Sequence, residues 1–290
     1  MTPLFRKIGL AIAFSPRAEA MLAETIRLKT IWKSELVLIH VGEHSEKEKE
    51  VLEQLLQNHK LTSKDVTVDW RKGNPSKEIL KACAEQKIDL LVTGALRKEG
   101  LVQHHVGSIA RRILRKANCS VLTLIQPSIS PQPFSNIVVH AEESPLMFST
   151  LSVACWLARL DKVKWLHVAR EIRFYGLTMT TAEQATEGEY NKLKHDLVES
   201  EIDNLQKSLS KIPHDEIKIN IKVFSGRSGF EIAQFAKRKH ADLLIIEGPT
   251  RRLSFFDRIF THELEYLLAD LPCNLLIVHS QFKAQEVLHA

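Results

Sequence analysis

Short apolar runs of about five residues alternate with amphipathic stretches along the whole chain. The runs at 90–93 and 121–125 are apolar almost without a break, which is typical of strands buried on both faces of a parallel sheet. The stretches between such runs carry apolar residues at helical spacing, as do Ile109, Ile113 and Leu114. The alternation predicts an α/β fold in which helices cover both faces of a parallel sheet.

In the first half the pattern predicts five strands and at least four helices. The strands are expected at 8–14, 35–41, 66–70, 90–93 and 121–125. The helices are expected at 18–32, at 46–59, at 77–86 and in the segment that opens with Gly107 and Ser108. A segment rich in proline and serine, 126–133, follows without periodicity and indicates a linker between domains.

The pattern then repeats in the second half of the chain. Gly94 and Gly248 are 154 residues apart, and so are Cys119 and Cys273. Two landmarks at one separation indicate a tandem of two similar units. The predicted organisation is a first domain at 1–126, a linker at 127–134 and a second domain at 135–282.

The two units differ most in the connection between their second and third strands. This connection is enlarged in the second unit, at 169–216, where it includes an apolar segment, 174–179, and a long helix predicted near 182–209. The apolar segment either lines a groove for an apolar ligand or a partner, or packs as an elaborated connection, and both alternatives stay open. The residues of the long helix that we expect to face inward are Leu193, Leu197, Ile202, Leu205 and Leu209.

Composition excludes several classes of function. A chain of 290 residues is long enough for two cores, and its net charge of +5 is spread over interleaved acidic and basic residues, so no nucleic-acid partner is expected. No apolar run reaches the roughly 18 residues that a membrane span needs. The four cysteines lie in apolar contexts without CxxC spacing, which predicts buried free thiols in a reducing, cytoplasmic compartment.

One segment carries a motif suited to phosphate. Gly94, Gly107 and Ser108 stand at the spacing Gly-x2-Gly-x9-Gly-Ser before an apolar helix, with Arg97 in place of the second glycine. A helix N-terminus presents unpaired N–H groups and a partial positive charge, which favour an anion. On these residues the chain resembles the universal stress protein family, and the resemblance covers nearly all of it.

The resemblance implies two tandem, open, parallel five-stranded sheets of strand order 3-2-1-4-5, packed as a pseudo-dimer whose fifth strands pair across the junction. It implies a crevice between strands one and four of each unit. It further implies ATP or AMP as the ligand of the first unit, with Arg97 able to pair with phosphate oxygens through its side chain. The implied binding residues are Val41 beside the adenine and Gly94, Arg97, Gly107, Ser108 and Ile109 around the phosphates.

Both units depart from the motif of the family they resemble. Where the family has Asp-Gly-Ser after strand one, the first unit has Ala13, Phe14 and Ser15, which removes the carboxylate and is expected to crowd the crevice with an aromatic ring. The second unit keeps a carboxylate, Glu142, and a first glycine, Gly248. We therefore expect weak nucleotide binding in the first unit and none in the second. The departures in the second phosphate motif are Arg251, Thr261, His262, Glu263 and Glu265.

Other candidate chemistry is sparse. His140, His167 and His262 are candidate metal ligands that could gather near Glu142, and ordinary polar lining of the second crevice is the alternative. His104 and His105 are expected in a loop. No nucleophile motif and no Walker lysine motif appears, so an enzyme is not predicted.

The resemblance implies a stress-response protein that acts by binding. An adenine-nucleotide hydrolase or transferase stays open as an alternative. A scaffold that binds no nucleotide, and that engages an apolar ligand or a protein through residues 174–179, stays open as well. A further homodimer and an unidentified protein partner are also left open.

Overall fold

The protein is built on one ten-stranded sheet with helices on both faces. It is described here from a computed structural model, which covers residues 4–62, 64–97, 104–172, 187–225, 229–248 and 267–279. The strands are β1 Lys7–Ala11, β2 Glu35–Val41, β3 Thr67–Arg71, β4 Leu90–Gly94, β5 Leu96–Arg97, β6 His104–His105, β7 Ser120–Leu124, β8 Asn136–His140, β9 Trp165–Ile172, β10 Ile219–Ser225, β11 Leu243–Glu247 and β12 Asn274–Val278. The helices are α1 Ala18–Trp32, α2 Glu46–Asn58, α3 Pro75–Glu85, α4 Ser108–Lys116, α5 Met147–Leu160, α6 Glu187–Leu209 and α7 Phe230–Arg238.

The strand order confirms the predicted fold and shows how its halves join. The sheet runs β10-β9-β8-β11-β12-β7-β4-β1-β2-β3, so each half has the order 3-2-1-4-5. Pairing within each half is parallel. The fifth strands, β7 and β12, pair antiparallel at the junction, with Leu122 opposite Leu276. The two expected sheets are therefore one continuous sheet, and the pairing covers two edges that would otherwise be open.

Each face of the sheet carries an apolar core that continues from one half into the other. On one face α1, α2, α5 and α6 cover the strands, with Leu22, Leu151 and Leu205 fully buried. On the opposite face α3, α4 and α7 pack down, with Ile113 and Ile232 buried. The helical periodicity of the sequence places these side chains correctly because each helix buries one stripe.

The repeat extends to the polar contacts that frame each half. Asp89 Oδ2 accepts hydrogen bonds of 2.9 Å from two successive backbone N–H groups where β1 begins. Asp242 Oδ2 accepts bonds of 2.6 and 2.8 Å from two successive N–H groups where β8 begins. Lys33 and Lys162, just after α1 and α5, both take the left-handed conformation, with φ of 55° and 51°. The two halves therefore share one framework.

The linker between the halves is held at both of its ends. The N–H group of Ser128 donates to Glu24 Oε1 at 3.2 Å, and that of Phe134 donates to Asp161 Oδ2 at 2.9 Å. Arg27 donates to both carboxylate oxygens of Asp161, at 3.0 and 3.1 Å. Residues of α1 in the first half are thereby connected to the linker and to the end of α5 in the second.

Two local predictions differ from the structure. Residues 104–105 form β6, which pairs antiparallel with β5, where a loop was expected. Helix α6 buries Leu205 and Leu209, but Leu193 near its other end is 40% exposed, because a 23-residue helix extends beyond the strands it covers. The apolar segment 174–179 lies outside the described residues.

Two further expectations concern the burial of the cysteines and the presence of a helix that could span a membrane. All four cysteines are buried and free, as predicted. Within the described ranges, no helix combines the length and the apolar character that crossing a bilayer requires.

Candidate functional site

A cavity of about 440 Å³ opens where β1 and β4 end, in the N-terminal half. This is the point at which the strand order reverses, and ligands of open α/β sheets bind at such points. Residues from β1, β2 and β4 form its base, and the first turns of α1, α3 and α4 surround it. Apolar side chains such as Ile39, Val41, Ile79 and Ile113 dominate the lining, which suits a flat apolar group.

The start of α4 is the main polar feature of the cavity. Gly107 is the N-cap residue and supplies no capping side chain, whereas Ser45 and Asn74 cap α2 and α3 with side-chain oxygens. The first turn of α4 contains no acidic residue. Ser108 is the first helical residue, and it lines the cavity together with the next two residues, whose N–H groups have no intrahelical acceptor. The unpaired donors and the helix dipole therefore favour an anion here.

The two motif glycines of the first half have different steric requirements. A Cβ atom on Gly107 would lie 2.6 Å from Leu96 Cδ1, so a larger residue would have to displace that side chain. Leu96 is 55% exposed and has room to move. A Cβ atom on Gly94 would meet only Met21 Sδ, at an ordinary 3.4 Å. Glycine at position 94 is therefore not required for packing, and it leaves space at the base of the cavity.

Arg17, which sequence analysis did not single out, also lines the cavity. It is the N-cap residue of α1, and its Nη1 and Nη2 donate to the carbonyl oxygens of Ala95 at 2.5 Å and Ile125 at 2.8 Å. Among the described residues that line the cavity, Arg17 is the single charged one. No local pattern reveals this role, because an arginine after Ser-Pro has the sequence appearance of a solvated helix start.

Five of the six predicted binding residues lie together around this cavity. They are Val41, Gly94, Gly107, Ser108 and Ile109. The backbone of Arg97 pairs with His104 in the β5–β6 ladder, and its side chain is outside the described part.

The expected crowding of the cavity by Phe14 is wrong. The ring of Phe14 packs against His40 and Trp70, with centroids 4.5 and 5.9 Å away, and Phe14 is not among the lining residues. It belongs instead to the apolar core covered by α1 and α2. Ala13 and Ser15, which flank Phe14 beyond the end of β1, line the cavity, whereas the Phe14 ring packs away from it.

The sheet ladder identifies the counterpart of Gly94 in the second half. Gly94 pairs with Leu124, and the next N–H group, of Ala95, donates to the Leu124 carbonyl at 2.8 Å. Glu247 pairs with Val278, and the next N–H group donates to the Val278 carbonyl, also at 2.8 Å. Glu247 is therefore the counterpart of Gly94. The predicted match between Gly94 and Gly248 is wrong by one residue, because Gly248 lies one position beyond the end of the strand.

Glu247 places a carboxyl group in the second crevice. The pKa of Glu247 is raised to about 7, chiefly by burial and in smaller part by the charge of Glu142, although a hydrogen bond from the Ser144 hydroxyl and the charge of Arg170 act the other way. Glu142 stands at the position of Ala13, since β1 and β8 occupy equivalent places in the sheet. The second crevice therefore carries carboxylates where the first has a glycine and an alanine.

A third carboxylate in the second half, that of Glu171, bonds to the start of a helix. Ile39 in β2 and Ala169 in β9 are equivalent, because each pairs with the last residue of the neighbouring strand, β1 or β8. Val41 and Glu171 each lie two residues further along and are therefore equivalent as well. The oxygens of Glu171 accept from the N–H groups of Gly229 at 3.1 Å and Ile232 at 3.2 Å, so they cap the start of α7. This helix lies between β10 and β11, so it is the counterpart of α3, whose start Asn74 caps in the first half.

The histidines of the second half do not form a described metal centre. Burial lowers the pKa of His140 to about 4, with a contribution from Arg170, and burial lowers that of His167 to about 4 as well. The His167 ring bonds to Asn220 at 3.1 Å. Within the described ranges, no three metal-ligating side chains come together. The third candidate, His262, lies outside those ranges, as do Arg251, Thr261, Glu263 and Glu265.

Comparison with known proteins identifies the same family in both halves. Residues 4–124 and 133–279 each match the Universal stress protein family. The chain is 24% identical over 160 residues to Universal stress protein MJ0577 of Methanocaldococcus jannaschii, which covers 43% of this chain and 97% of that protein. It is 34% identical over 62 residues to Universal stress protein MJ0531 of the same organism, which covers 21% of this chain and only 36% of that relative.

A solved structure shows the same fold over the whole chain. The functionally unknown protein PA1789 from Pseudomonas aeruginosa PAO1 superposes with a TM-score of 0.69. The two chains are 16% identical, and the superposition covers 98% of this chain and 96% of that one. At this identity the likeness concerns the fold alone.

Proposed function

The chain belongs to the universal stress protein family, of which it carries two tandem units, and from this premise we propose that its N-terminal cavity binds an adenine nucleotide, ATP or AMP. The C-terminal crevice binds none. The protein acts by binding, as a cytoplasmic stress-response protein, and the binding residues are those predicted from the motif: Val41, Gly94, Arg97, Gly107, Ser108 and Ile109.

One observation carries this proposal: the cavity combines an apolar wall with an uncapped helix start and has no acidic residue in its described lining. The apolar wall near Ile39 and Val41 suits an adenine ring. The first turn of α4 suits a phosphate. No carboxylate in the described lining repels the phosphate charges, and the loss of the family's carboxylate at Ala13 is consistent with weak binding.

Binding is favoured over hydrolysis by the same lining. The described residues around the cavity include no carboxylate and no imidazole. A general base must lie within hydrogen-bond reach of the water that it activates, and these are the side chains that usually serve. The hydroxyl groups of Ser15, Thr93 and Ser108 are present, but they are poor bases at neutral pH.

The exclusion of nucleotide from the second half rests on charge. Glu247, Glu142 and Glu171 stand where the first half has the uncharged residues Gly94, Ala13 and Val41. A phosphate brought to this crevice would meet the carboxyl group of the partly buried Glu247 and the exposed carboxylate of Glu142, and this repulsion costs more than a helix end contributes.

A titration with a fluorescent ATP analogue tests the proposal. Wild type is expected to show saturable binding that unlabelled ATP and AMP displace. Ser108→Glu places a carboxylate at the exposed first residue of α4 and is expected to weaken binding about tenfold or more, because like charges meet at the helix start. Ser108→Gln, of similar size without charge, is the matched control and is expected to lose much less.

Either of two results would contradict the proposal. One is the absence of saturable, displaceable binding by wild type. The other is a set of identical binding curves for wild type, Ser108→Glu and Ser108→Gln, which would show that the ligand binds elsewhere.

A further inference from the structure

Arg17 has a position in the cavity that neither the motif nor the family match assigns. Building on the proposed function, we propose that Arg17 is the residue that makes the cavity select phosphorylated adenine ligands over the uncharged nucleoside. It does so by pairing with a phosphate oxygen through guanidinium N–H groups that face the cavity.

The guanidinium is held in place before any ligand arrives. Nη1 and Nη2 each donate to a backbone carbonyl, of Ala95 and Ile125, at 2.5 and 2.8 Å. These two bonds use two of the five N–H donors that a guanidinium carries, so three remain. A side chain fixed in this way loses little conformational entropy when it binds a phosphate, and its planar group can present more than one donor.

The charge of Arg17 is not neutralised by a neighbouring acid. Its hydrogen-bond acceptors are carbonyl oxygens, and the described lining of the cavity contains no carboxylate that could pair with it. Burial lowers the pKa of Arg17, which means that the charged form has lost solvation. An anion in the cavity would restore a favourable partner, and this gives the site a preference that depends on ligand charge.

The position of Arg17 also places it on the correct side of the cavity. Its anchor Ala95 follows Gly94 directly, and Gly94, Gly107 and Ser108 line the same cavity. The side chain and the start of α4 therefore act on one shared space. A phosphate there would meet backbone donors from the helix and charged donors from Arg17, whereas the apolar wall contacts the base.

The second half provides an internal comparison. Ser15 and Ser144 occupy equivalent places, since the oxygen of each accepts the N–H group two residues further on, that of Arg17 at 3.3 Å and that of Leu146 at 2.9 Å. The counterpart of Arg17 is thus Leu146, which is buried. The half that has acquired carboxylates in its crevice has no cation at this position, as expected if the arginine serves a phosphate.

Isothermal titration of adenosine, AMP and ATP into the full-length protein tests the role of Arg17. Wild type is expected to bind AMP about tenfold or more tightly than adenosine, and added salt should reduce this preference. Arg17→Gln keeps an N–H donor for a carbonyl but removes the charge, and is expected to lower the preference several-fold through weaker AMP binding, to the part that the start of α4 supplies. Arg17→Lys keeps the charge and is expected to retain most of the preference.

Each outcome separates this role from the proposed function. Equal affinity of wild type for adenosine and AMP would overturn the role of Arg17 and leave adenine binding intact. A full AMP preference in folded Arg17→Gln would overturn it as well. Absence of binding by all three ligands would overturn the proposed function together with it.

Discussion

At the carboxyl end of its fourth strand the N-terminal half has Gly94, and the C-terminal half has Glu247 at the same ladder position. The same contrast holds nearby, with Val41 against Glu171 and Arg17 against Leu146. The scaffolds are nevertheless alike, since both halves have the same strand order and an aspartate just before the fourth strand that bonds to the start of the first strand. The chemistry of a crevice can therefore be reversed without a change in the sheet that forms it.

The comparison shows which contacts belong to the fold and which belong to a ligand. Asp89 and Asp242 make equivalent bonds in both halves, so their role is structural. The residues that line the crevice differ in charge from one half to the other, although their backbone positions are equivalent. The three predictions that follow test this division.

The largest effect is expected from copying the second crevice into the first. Gly94→Glu introduces the carboxylate of Glu247 and is expected to lower nucleotide affinity about a hundredfold, because a poorly solvated charge would face the phosphates. Gly94→Gln should lose less. Gly94→Ala should bind and unfold much as wild type does, since its Cβ atom would meet Met21 Sδ at 3.4 Å. Equal losses for Glu and Gln would show that volume, and not charge, distinguishes the two crevices.

A smaller effect is expected from removing the buried acid of the second half. The pKa of Glu247 is about 7 in the folded protein, raised from 4.5. Between these values the folded state holds a proton that the unfolded state has lost, so this group makes stability fall as pH rises through the window. Glu247→Gln should remove that fall and stabilise the protein at pH 8 by about 1–2 kcal/mol, a figure reduced for the partial exposure of the side chain.

Urea unfolding at several pH values between 5 and 8 measures this difference in stability. The lowered pKa values of His140 and His167 make stability rise with pH over a partly overlapping range, but they act in wild type and variant alike. Glu143→Gln, at an exposed neighbouring position, is the control and should change stability by less than about 0.5 kcal/mol at every pH. If the difference in free energy of unfolding between Glu247→Gln and wild type did not change with pH, the raised pKa of Glu247 would be contradicted.

The smallest difference between the two halves is expected where their residues are the same. Asp89→Ala and Asp242→Ala each remove a carboxylate that accepts two backbone N–H groups, and each should cost about 1–2 kcal/mol because these sites are partly solvated. The free energies of unfolding of the two variants, measured with urea, should agree to within about 0.5 kcal/mol. A clear inequality would show that the two frameworks are not energetically equivalent.

The fold could be predicted almost completely from the sequence. The alternation of buried strands and amphipathic helices, together with the repeat, predicts the element order, and the resemblance implies the pairing of β7 with β12. The errors lie where tertiary context decides. The outer end of α6 shows helical apolar spacing at Leu193, yet that residue is 40% exposed, because its burial depends on the packing of other elements and not on local spacing.

The site could be predicted only in part. The glycine motif brings five residues to one cavity because their spacing follows from a strand, a loop and a helix. Arg17 could not be predicted, since its anchors Ala95 and Ile125 are far away in the sequence. Glu247 was missed because matching glycine to glycine pairs Gly94 with Gly248. Only the register of the strand pairing shows that Glu247 ends the strand.

The linker contacts of Ser128 and Phe134 have a consequence for how the two crevices relate to each other. In a symmetric dimer of separate chains, every substitution appears in both copies at once, and dilution separates the copies. Here a tether of a few residues holds the junction together at any protein concentration. The residues of one crevice can therefore change while those of the other stay the same. The two different halves stay paired because they are parts of one chain.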